Sequence, residues 1–293
     1  MKGALFGDIV GSIYEFNNHR SKDFNLVRED CFATDDSIMS LCVGVALAET
    51  YDADADGWDY DKLSDHARAW MQHVGKRYPW CGYGGSFYNW IMGRSKKPYG
   101  SYGNGAAMRV GACGEVARSL EEAEQLAEAV TRVSHNHPEG IKGAKAVAAL
   151  IYIAKTKDCS VAEMVDAMQE YYPDYKFLED GFKVKDLQKT YTFNETCQET
   201  VPQALECFFE SVSFEDAIRN AICIGGDSDT IAAIVGSVAE AYYGIDAIPQ
   251  KDIITTALAD ADDKAGYFDE LLTLMLEMYD RFDATLKERS LVK

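Results

Sequence analysis

Residues 225–230, GGDSDT, place two carboxylates two positions apart behind a pair of glycines. The next stretch, IAAIVGSVAEAYYG, is apolar and rich in small residues, which predicts a buried helix. Two acids at the mouth of a buried helix, Asp227 and Asp229, repel each other and are costly to desolvate unless something neutralises them. A bound cation would do so, but one pair of acids rarely makes a complete cation site. We therefore expect further ligands elsewhere in the chain.

A second pair of acids lies in ATDDSIMSL, where Asp35 and Asp36 again directly precede an apolar helix. Each motif also carries a threonine, Thr34 in one and Thr230 in the other. One interpretation is N-capping, because hydroxyls and carboxylates accept hydrogen bonds from the free N–H groups of a helix start. If instead the two helix starts meet, four carboxylates converge, and such hard oxygen ligands select Mg²⁺, Mn²⁺ or Ca²⁺. Four acids are enough for two ions.

The N-terminal stretch GALFGDIVGSIYEF contributes a third motif. Gly3, Gly7 and Gly11 recur every four residues, which places them on one face of a helix where another helix can approach closely. Glu15 follows four residues later. It is either part of the same site or a solvated acid at a helix end.

Glycines recur at positions 100, 103 and 105 in PYGSYGNGAAMRVG, just before a helix predicted to begin near Ala106. A glycine loop that leads into a helix N-terminus suits a phosphate or pyrophosphate, because backbone N–H groups point at the anion. A turn built on Asn-Gly is the commoner explanation of such a pattern.

Histidines and aromatic residues form two further candidate contacts. SHNHPEG places His135 and His137 before a helix start, and without soft-metal partners an imidazole that contacts a ligand, or a helix cap, fits better than a metal ligand. WCGYGGSFYNW (80–90) sets aromatic residues among glycines, where they either stack on a base or form a corner of the core. DADADGWDYDKL (52–63) matches the start of a calcium loop but has Leu63 where a bidentate glutamate belongs, so we expect a solvated acidic connector.

These motifs must be positioned by helices, because apolar residues at i, i+3 and i+4 spacing dominate the chain. Strand alternation is scarce, and FKVKDLQKTYTFN (182–194) is the one modest candidate for a strand or an ordered connection. There is no low-complexity linker and no fixed-period repeat. We predict an all-α fold of ten or more helices: a single compact domain over 1–293, with helices packed orthogonally around a dinuclear metal cleft.

Composition excludes several classes of protein. The formal net charge of −19 makes nucleic-acid binding unfavourable, because phosphates would be repelled. The eight cysteines form no CxxC pair, which indicates reduced, buried thiols rather than a zinc ribbon. We expect neither a signal peptide nor a membrane span, because MKGALFGDIVGSIYEF is interrupted by Gly7, Asp8 and Gly11 and no stretch reaches about 18 apolar residues. We expect a cytoplasmic monomer with no membrane or nucleic-acid partner.

The ordered set GDIVGSIYE, TDDS, GSYGNGAAMR, SHNHPEG and GGDSDT resembles the ADP-ribosylglycohydrolase family over about residues 3 to 245. That family includes the dinitrogenase reductase-activating glycohydrolases and the ADP-ribosyl-arginine and ADP-ribosyl-serine hydrolases. The resemblance implies an all-α enzyme with two Mg²⁺ or Mn²⁺ ions that removes ADP-ribose from a protein or a small conjugate. It implies metal ligands at Thr34, Asp35, Asp36, Asp227, Asp229 and Thr230.

The resemblance also implies roles around the metals. Glu15 matches the glutamate beside the scissile bond and, with Asp35, Asp36 and Asp229, forms the expected catalytic set. The ADP-ribose loop corresponds to Gly100, Ser101, Tyr102, Gly103 and Asn104, and His135 to a histidine that contacts the ligand. Ser37, Ser134 and Ser228 stand where threonine is frequent, which keeps a hydroxyl at each position.

Substrate linkage is not decided by these motifs, since GSYGNGAAMR is more similar to the serine-directed hydrolases and SHNHPEG to the arginine-directed ones. Two other functions stay open. One is a catalytically silent protein of the same fold that binds ADP-ribose or serves a structural role. The other is a different two-metal hydrolase that acts on nucleotides or phosphate esters.

Overall fold

The computed structural model describes residues 1–55, 57–93, 95–156, 159–266 and 270–288, and these form fifteen α-helices without a β-strand. The all-α prediction is therefore confirmed. In chain order the helices are α1 (Lys2–Gly11), α2 (Asp35–Thr50), α3 (Tyr60–Arg77), α4 (Gly85–Met92), α5 (Gly105–Met108), α6 (Gly111–Val116), α7 (Leu120–Thr131), α8 (Pro138–Thr156), α9 (Val161–Tyr171), α10 (Val184–Thr190), α11 (Cys197–Phe209), α12 (Phe214–Cys223), α13 (Ser228–Tyr243), α14 (Asp252–Lys264) and α15 (Leu271–Glu288).

The centre of the fold is the pair α1 and α13, which make the most extensive helix–helix contact in the described chain. Both helices are buried around nearly their whole circumference, as expected of helices that are apolar on every face. Helices α2, α8, α11 and α12 surround α13, and α15 packs on the outside of α2. This arrangement leaves the N-termini of α2 and α13 near the C-terminal half of α1.

Glycines on α1 permit the close approach of α13, as their recurrence every four residues predicted. A Cβ atom at Gly7 would lie 2.0 Å from the carbonyl oxygen of Ala232, and one at Gly3 would lie 2.1 Å from that of Gly236. A Cβ atom at Gly11 would likewise lie 2.5 Å from the Cα atom of Asp229. The glycine face of α1 therefore brings its backbone against the first turn of α13, where GGDSDT lies.

The strand candidate at 182–194 is wrong. Helix α10 occupies its centre, and Val184, Leu187 and Tyr191 are the residues that become buried. Their separation by three and four positions is helical, whereas a strand would bury every second residue. The extended backbone that follows α10 forms one isolated β-bridge, between Thr196 and Gly103. This β-bridge joins the segment after α10 to the glycine loop at 100–104.

The acidic stretch 52–63 is a connector, as expected. Asp52 accepts hydrogen bonds from the N–H groups of Asp54 and Ala55 at 2.9 and 3.0 Å, and Asp59 caps the start of α3. Asp56, the third acid of the calcium-like pattern, lies outside the described residues. The C-terminal helices α14 and α15 pack on α1 and α2. No helix in the described ranges is both long and apolar enough to span a bilayer.

Candidate active site

The two acid motifs meet at the N-termini of α2 and α13. The Thr230 hydroxyl donates a hydrogen bond to Asp36 Oδ2 across this junction, at 3.2 Å. Carboxylate oxygens of Asp8, Asp36 and Asp229 lie within 4.8 Å of one another. A second group within the same distance joins Asp229 to Glu15 and Asp227. The two helix starts therefore meet, as the second interpretation allowed, and Asp36, Asp227 and Asp229 join these groups whereas Asp35 belongs to neither.

Asp8 is a member of this cluster that the sequence reasoning missed. It lies on α1 and is fully buried. Its carboxylate accepts hydrogen bonds from the Thr34 N–H and hydroxyl, at 3.0 and 2.6 Å, and from the Ser37 N–H at 3.1 Å and the Ser37 hydroxyl. Asp8 thus connects α1 to the first turn of α2. A lone acid on an otherwise apolar glycine-faced helix was the available signal for it.

N-capping explains only part of the two motifs. The Thr34 hydroxyl accepts a hydrogen bond from the Asp36 N–H at 3.3 Å and so caps α2. Asp227 occupies the cap position of α13 but makes no capping hydrogen bond, and its Oδ2 instead accepts from the Asn104 side chain at 2.7 Å. Asp36 Oδ1 and Asp229 Oδ1 are buried and find no hydrogen-bond partner among the described residues. These carboxylates therefore have a free oxygen for another ligand.

The electrostatics of the cluster favour a cation. Burial raises the pKa of Asp36 and Asp229 well above the usual range, and the neighbouring carboxylates raise both further. Burial also raises the pKa of Asp35 well above its usual value and that of Asp227 to about 6. Close carboxylates in a low-dielectric site hold protons or bind cations, and oxygen-only donors suit Mg²⁺ or Mn²⁺. The donor set and the two orphaned oxygens fit such ions.

The glycine pair before Asp227 forms a turn that only glycine fits. Gly225 and Gly226 have φ angles of 71° and 83°, in the left-handed region, and a side chain at Gly226 would collide with the Tyr191 ring. The Asn18 side chain accepts from the Gly226 N–H at 2.8 Å and donates to the carbonyls of Gly226 and Glu15, each at 2.9 Å. This contact fixes the Glu15 turn to the GGDSDT loop. Nothing in the sequence pattern singled out Asn18.

A cleft of about 460 Å³ opens beside the carboxylates, within the size range of small-ligand sites. Of the thirteen predicted site residues, twelve line it: Glu15, Asp35, Asp36, Gly100, Ser101, Tyr102, Gly103, Asn104, His135, Asp227, Asp229 and Thr230. Thr34 is the thirteenth and is not among the residues that line the cleft. Its hydroxyl donates a hydrogen bond to Asp8. Phe87, from the aromatic–glycine stretch, also lines the cleft, although its ring is largely buried and stacks on Trp90.

The glycine loop is held by backbone pairing as well as by Asn104. The Asn104 N–H donates to the Glu195 carbonyl at 2.8 Å, and the Cys197 N–H donates to the Tyr102 carbonyl at 2.9 Å. Gly100 has a φ of 73°, so the loop enters through a left-handed residue. Through Asn104 the loop contacts Asp227 directly, which joins the anion-binding candidate to the carboxylate cluster.

His135 is buried next to the glycine loop, and its imidazole is neutral. Burial lowers its pKa well below the usual value, and the Arg109 charge lowers it further. Nδ1 faces the Ser134 hydroxyl at 2.8 Å and an Arg109 N–H at 3.4 Å, so it acts as the acceptor. The proton is therefore assigned to Nε2, which would lie 3.5 Å from a Cβ at Gly103. The histidine presents an N–H donor toward the loop.

Arg109 is a second residue that the sequence reasoning quoted but did not assign. Its guanidinium is fully buried, lies 5.4 Å from the centre of the Phe87 ring and lines the cleft. Two of its nitrogens, Nε and one Nη, have no hydrogen-bond partner. Among the described residues that line the cleft it is the one cation, and it contacts His135 on the glycine-loop side.

Comparisons with known proteins identify a family and several relatives of this chain. Residues 1–283 match the family model described as ADP-ribosylglycohydrolase. ADP-ribosylhydrolase ARH3 from Homo sapiens is 25% identical, over 85% of this chain and 86% of that protein. ADP-ribosylarginine hydrolase Tri1 from Pseudomonas putida is 24% identical, over 96% of this chain and 78% of that protein. A solved structure titled ADP-ribosylglycohydrolase-related protein complex has the same fold, with a TM-score of 0.61 at 21% identity over 96% of this chain and 95% of that one.

Proposed function

The chain belongs to the ADP-ribosylglycohydrolase family, and we propose that it hydrolyses the glycosidic bond joining ADP-ribose to an arginine or serine side chain of a protein, or to a related small conjugate. The observation that carries the proposal is the 2.7 Å hydrogen bond from Asn104 to Asp227. This bond joins the glycine loop, which is the candidate for anion binding, to the cluster of buried acids within one cleft. ADP-ribose has a pyrophosphate for the first and a distal ribose for the second.

Two Mg²⁺ or Mn²⁺ ions would be held by the side chains at Thr34, Asp35, Asp36, Asp227, Asp229 and Thr230. Asp8 would help to position these ligands, because it accepts hydrogen bonds from Thr34 and Ser37 at the start of α2. When bound, the ions supply positive charge that orients the ribose hydroxyls and the attacking water. The free oxygens on Asp36 and Asp229 support this assignment.

The glycine loop and its neighbours would bind the pyrophosphate. Gly100, Gly103 and Asn104 already donate their N–H groups within the protein, so the donors for an anion would be the N–H groups of Ser101 and Tyr102 and the Nε2–H of His135, with the buried charge of Arg109 beside them. This local positive character explains how a chain with a net charge of −19 accepts an anionic substrate. Binding at the loop would fix the distal ribose over the carboxylates, which lowers the entropic part of the barrier.

Glu15 would act as the general acid or base that transfers a proton between the attacking water and the leaving atom. Burial first, and then the charges of Asp229, Glu195 and Asp8, together raise the pKa of Glu15 to about 8. Its carboxyl lies with Asp227 and Asp229, at the end of the cleft where the distal ribose would lie. In the reaction the C1–N or C1–O bond of that ribose breaks, a water oxygen bonds to C1, and one water proton goes to the leaving atom. A carboxyl poised near neutral pH can accept or donate that proton.

Release of free ADP-ribose tests the proposal. Arginine-linked and serine-linked peptides are incubated with the protein in Mg²⁺ and again in EDTA. We expect metal-dependent release from one of them, and Asp35→Ala and Asp229→Ala should lose most of this activity while their circular dichroism stays native. Asp52→Ala, which removes an exposed turn-capping acid, is the control and should keep full activity.

The alternative functions give different outcomes in the same experiment. Phosphate release instead of ADP-ribose release would identify a phosphoester hydrolase. Binding of ADP-ribose and metal without turnover would identify a silent binder. Near-normal turnover of Asp35→Ala or Asp229→Ala would refute the role assigned to these carboxylates.

A further inference from the structure

Two phenylalanines stand exposed on the Glu15 side of the cleft. Phe16 is 86% exposed, directly after Glu15, and Phe193 is 43% exposed, two residues before Glu195. Their rings stack on each other with centroids 6.2 Å apart and planes 23° apart. Glu15 and Glu195 both line the cleft. The aromatic pair therefore adjoins the rim on which both glutamates lie.

The backbone carrying these rings is firmly held. Asn18 ties the Glu15–Phe16 turn to Gly226. Arg20 donates hydrogen bonds to the carbonyls of Ile224 at 2.6 Å, Tyr191 at 2.7 Å and Gln188 at 2.8 Å. It thus connects the turn that carries Phe16 to the segment that carries Phe193. Two apolar rings kept in water on a fixed support indicate a contact surface, since solvation of such a pair is unfavourable.

The cleft that the rings adjoin is negative, and the nearby Arg20 guanidinium is engaged by three backbone carbonyls. Among the residues lining the cleft, the acids are Glu15, Asp35, Asp36, Glu195, Asp227 and Asp229. Arg109, the one cation that the described part of the chain contributes to the lining, lies by His135 on the glycine-loop side. Glu195, two residues from Phe193, lines the cleft and forms no ion pair within the described part of the chain, so its charge would persist with cations bound among the aspartates. Aromatic faces next to carboxylates favour a planar cation.

We infer that Phe16, Phe193, Glu15 and Glu195 form a leaving-group subsite for a guanidinium, so that the enzyme prefers arginine-linked over serine-linked ADP-ribose. This inference rests on the proposed function and selects one of its two linkages. A guanidinium stacks on aromatic faces and forms paired hydrogen bonds with a carboxylate, whereas a serine hydroxyl gains from neither.

The reaction with this leaving group balances without a further reactant. The bond from ribose C1 to the guanidinium nitrogen breaks, and that nitrogen keeps the bonding pair. The water oxygen bonds to C1, and one water proton goes to the nitrogen. The products are ADP-ribose and a free arginine guanidinium, so the cation that the subsite binds is present at both the start and the end.

Kinetics on the two peptides test the inference, with Phe16→Ala, Phe193→Ala and Val212→Ala compared. Val212 is a matched control because it is 84% exposed and lines no part of the cleft. We expect a higher kcat/KM for the arginine-linked peptide in the native enzyme. Each phenylalanine variant should raise its KM about 2- to 5-fold, the value of one exposed cation–π contact, with kcat retained. Val212→Ala should change neither constant.

Inhibition by small analogues shows whether the subsite recognises the charge of a guanidinium or only its planar shape. Agmatine carries a guanidinium, and n-butylurea is a neutral planar analogue. Agmatine should inhibit more strongly than the urea, and Glu195→Gln should reduce that preference. An equal or higher kcat/KM for the serine-linked peptide, or an unchanged KM in both phenylalanine variants, would overturn the inference while leaving the proposed function intact.

Absence of release from both peptides would instead count against the proposed function. In that case calorimetry of agmatine with the ADP-ribose-loaded protein still decides on the subsite. Binding that is weakened in Phe16→Ala supports a guanidinium subsite, and no detectable binding to the native protein overturns it.

Discussion

The close contact of α1 with α13 positions the acids, and Gly7→Ala tests this directly. The new Cβ would lie 2.0 Å from the Ala232 carbonyl oxygen, whereas about 3.0 Å is the shortest distance that real Cβ atoms tolerate. Both partners are helix backbone, so no side chain can rotate away. The two helices must therefore separate locally by about 1 Å, and Asp8 on α1 moves away from Asp229 on α13.

The stability cost follows from two opposing effects. Overpacking a core contact costs about 1–3 kcal/mol, and the upper end applies because backbone meets backbone. Replacing a glycine within a helix by alanine stabilises the folded state by about 1 kcal/mol, because alanine has the higher helix propensity. The net loss of about 2 kcal/mol corresponds to a fall in Tm of roughly 4–8 °C for a large domain. A displacement of about 1 Å at the site should lower kcat/KM on the order of 100-fold.

Scanning calorimetry and ADP-ribose release measure the two effects. Gly57→Ala is the control, because the nearest atom to its new Cβ is 3.7 Å away and the site is distant in the sequence. That variant should match the native Tm within about 1–2 °C and keep full activity. A Gly7→Ala protein that melts at the native temperature with native turnover would refute the view that the glycine face sets the carboxylate geometry.

Three further predictions concern the same cluster. Because burial raises the pKa of Asp227 to about 6 and those of its neighbours above their usual range, the metal-free fold should lose stability as pH rises from about 4 toward 8. Mg²⁺ should then raise Tm more at pH 8 than at pH 5.5, and an equal shift at both would contradict the assignment. Asn18→Ala, which releases the Glu15 turn, should lower stability by about 1–3 kcal/mol and reduce kcat, whereas Asn17→Ala should do neither in the same assays. Asp8→Asn cannot accept all four of its hydrogen bonds, so denaturant unfolding should show a loss of about 1–3 kcal/mol, and native stability would argue against its structural role.

The acids and the glycine loop were predictable because their chemistry is unusual for their positions. Adjacent aspartates before an apolar helix conflict with burial unless a ligand is present, and glycines every four residues on α1 require a close neighbour. Sequence spacing also set out the two ways in which GGDSDT and TDDS could act. The fold was needed to show that Thr34 caps its helix while Asp227 bonds instead to Asn104.

Residues that act through unique tertiary contacts were not predictable in this way. Asn18 and Arg20 lie in the irregular segment between α1 and α2, and polar residues in such a segment usually face solvent. Their function depends on carbonyls contributed by residues near 190 and 225, which only the folded chain brings close. The error at 182–194 has a local cause, since its buried positions follow helical spacing. A single domain, a monomer and a cytoplasmic location stay predictions.

The central claim is that the acids at the junction of α1, α2 and α13 bind divalent cations. Titration of the protein with Mn²⁺, followed by electron paramagnetic resonance of the free ion, tests this claim most directly. We predict two bound ions per chain in the native protein and in Asp52→Asn, and weaker or fewer ions in Asp36→Asn. Absence of binding to the native protein at millimolar Mn²⁺, or unchanged binding in Asp36→Asn, would contradict the account.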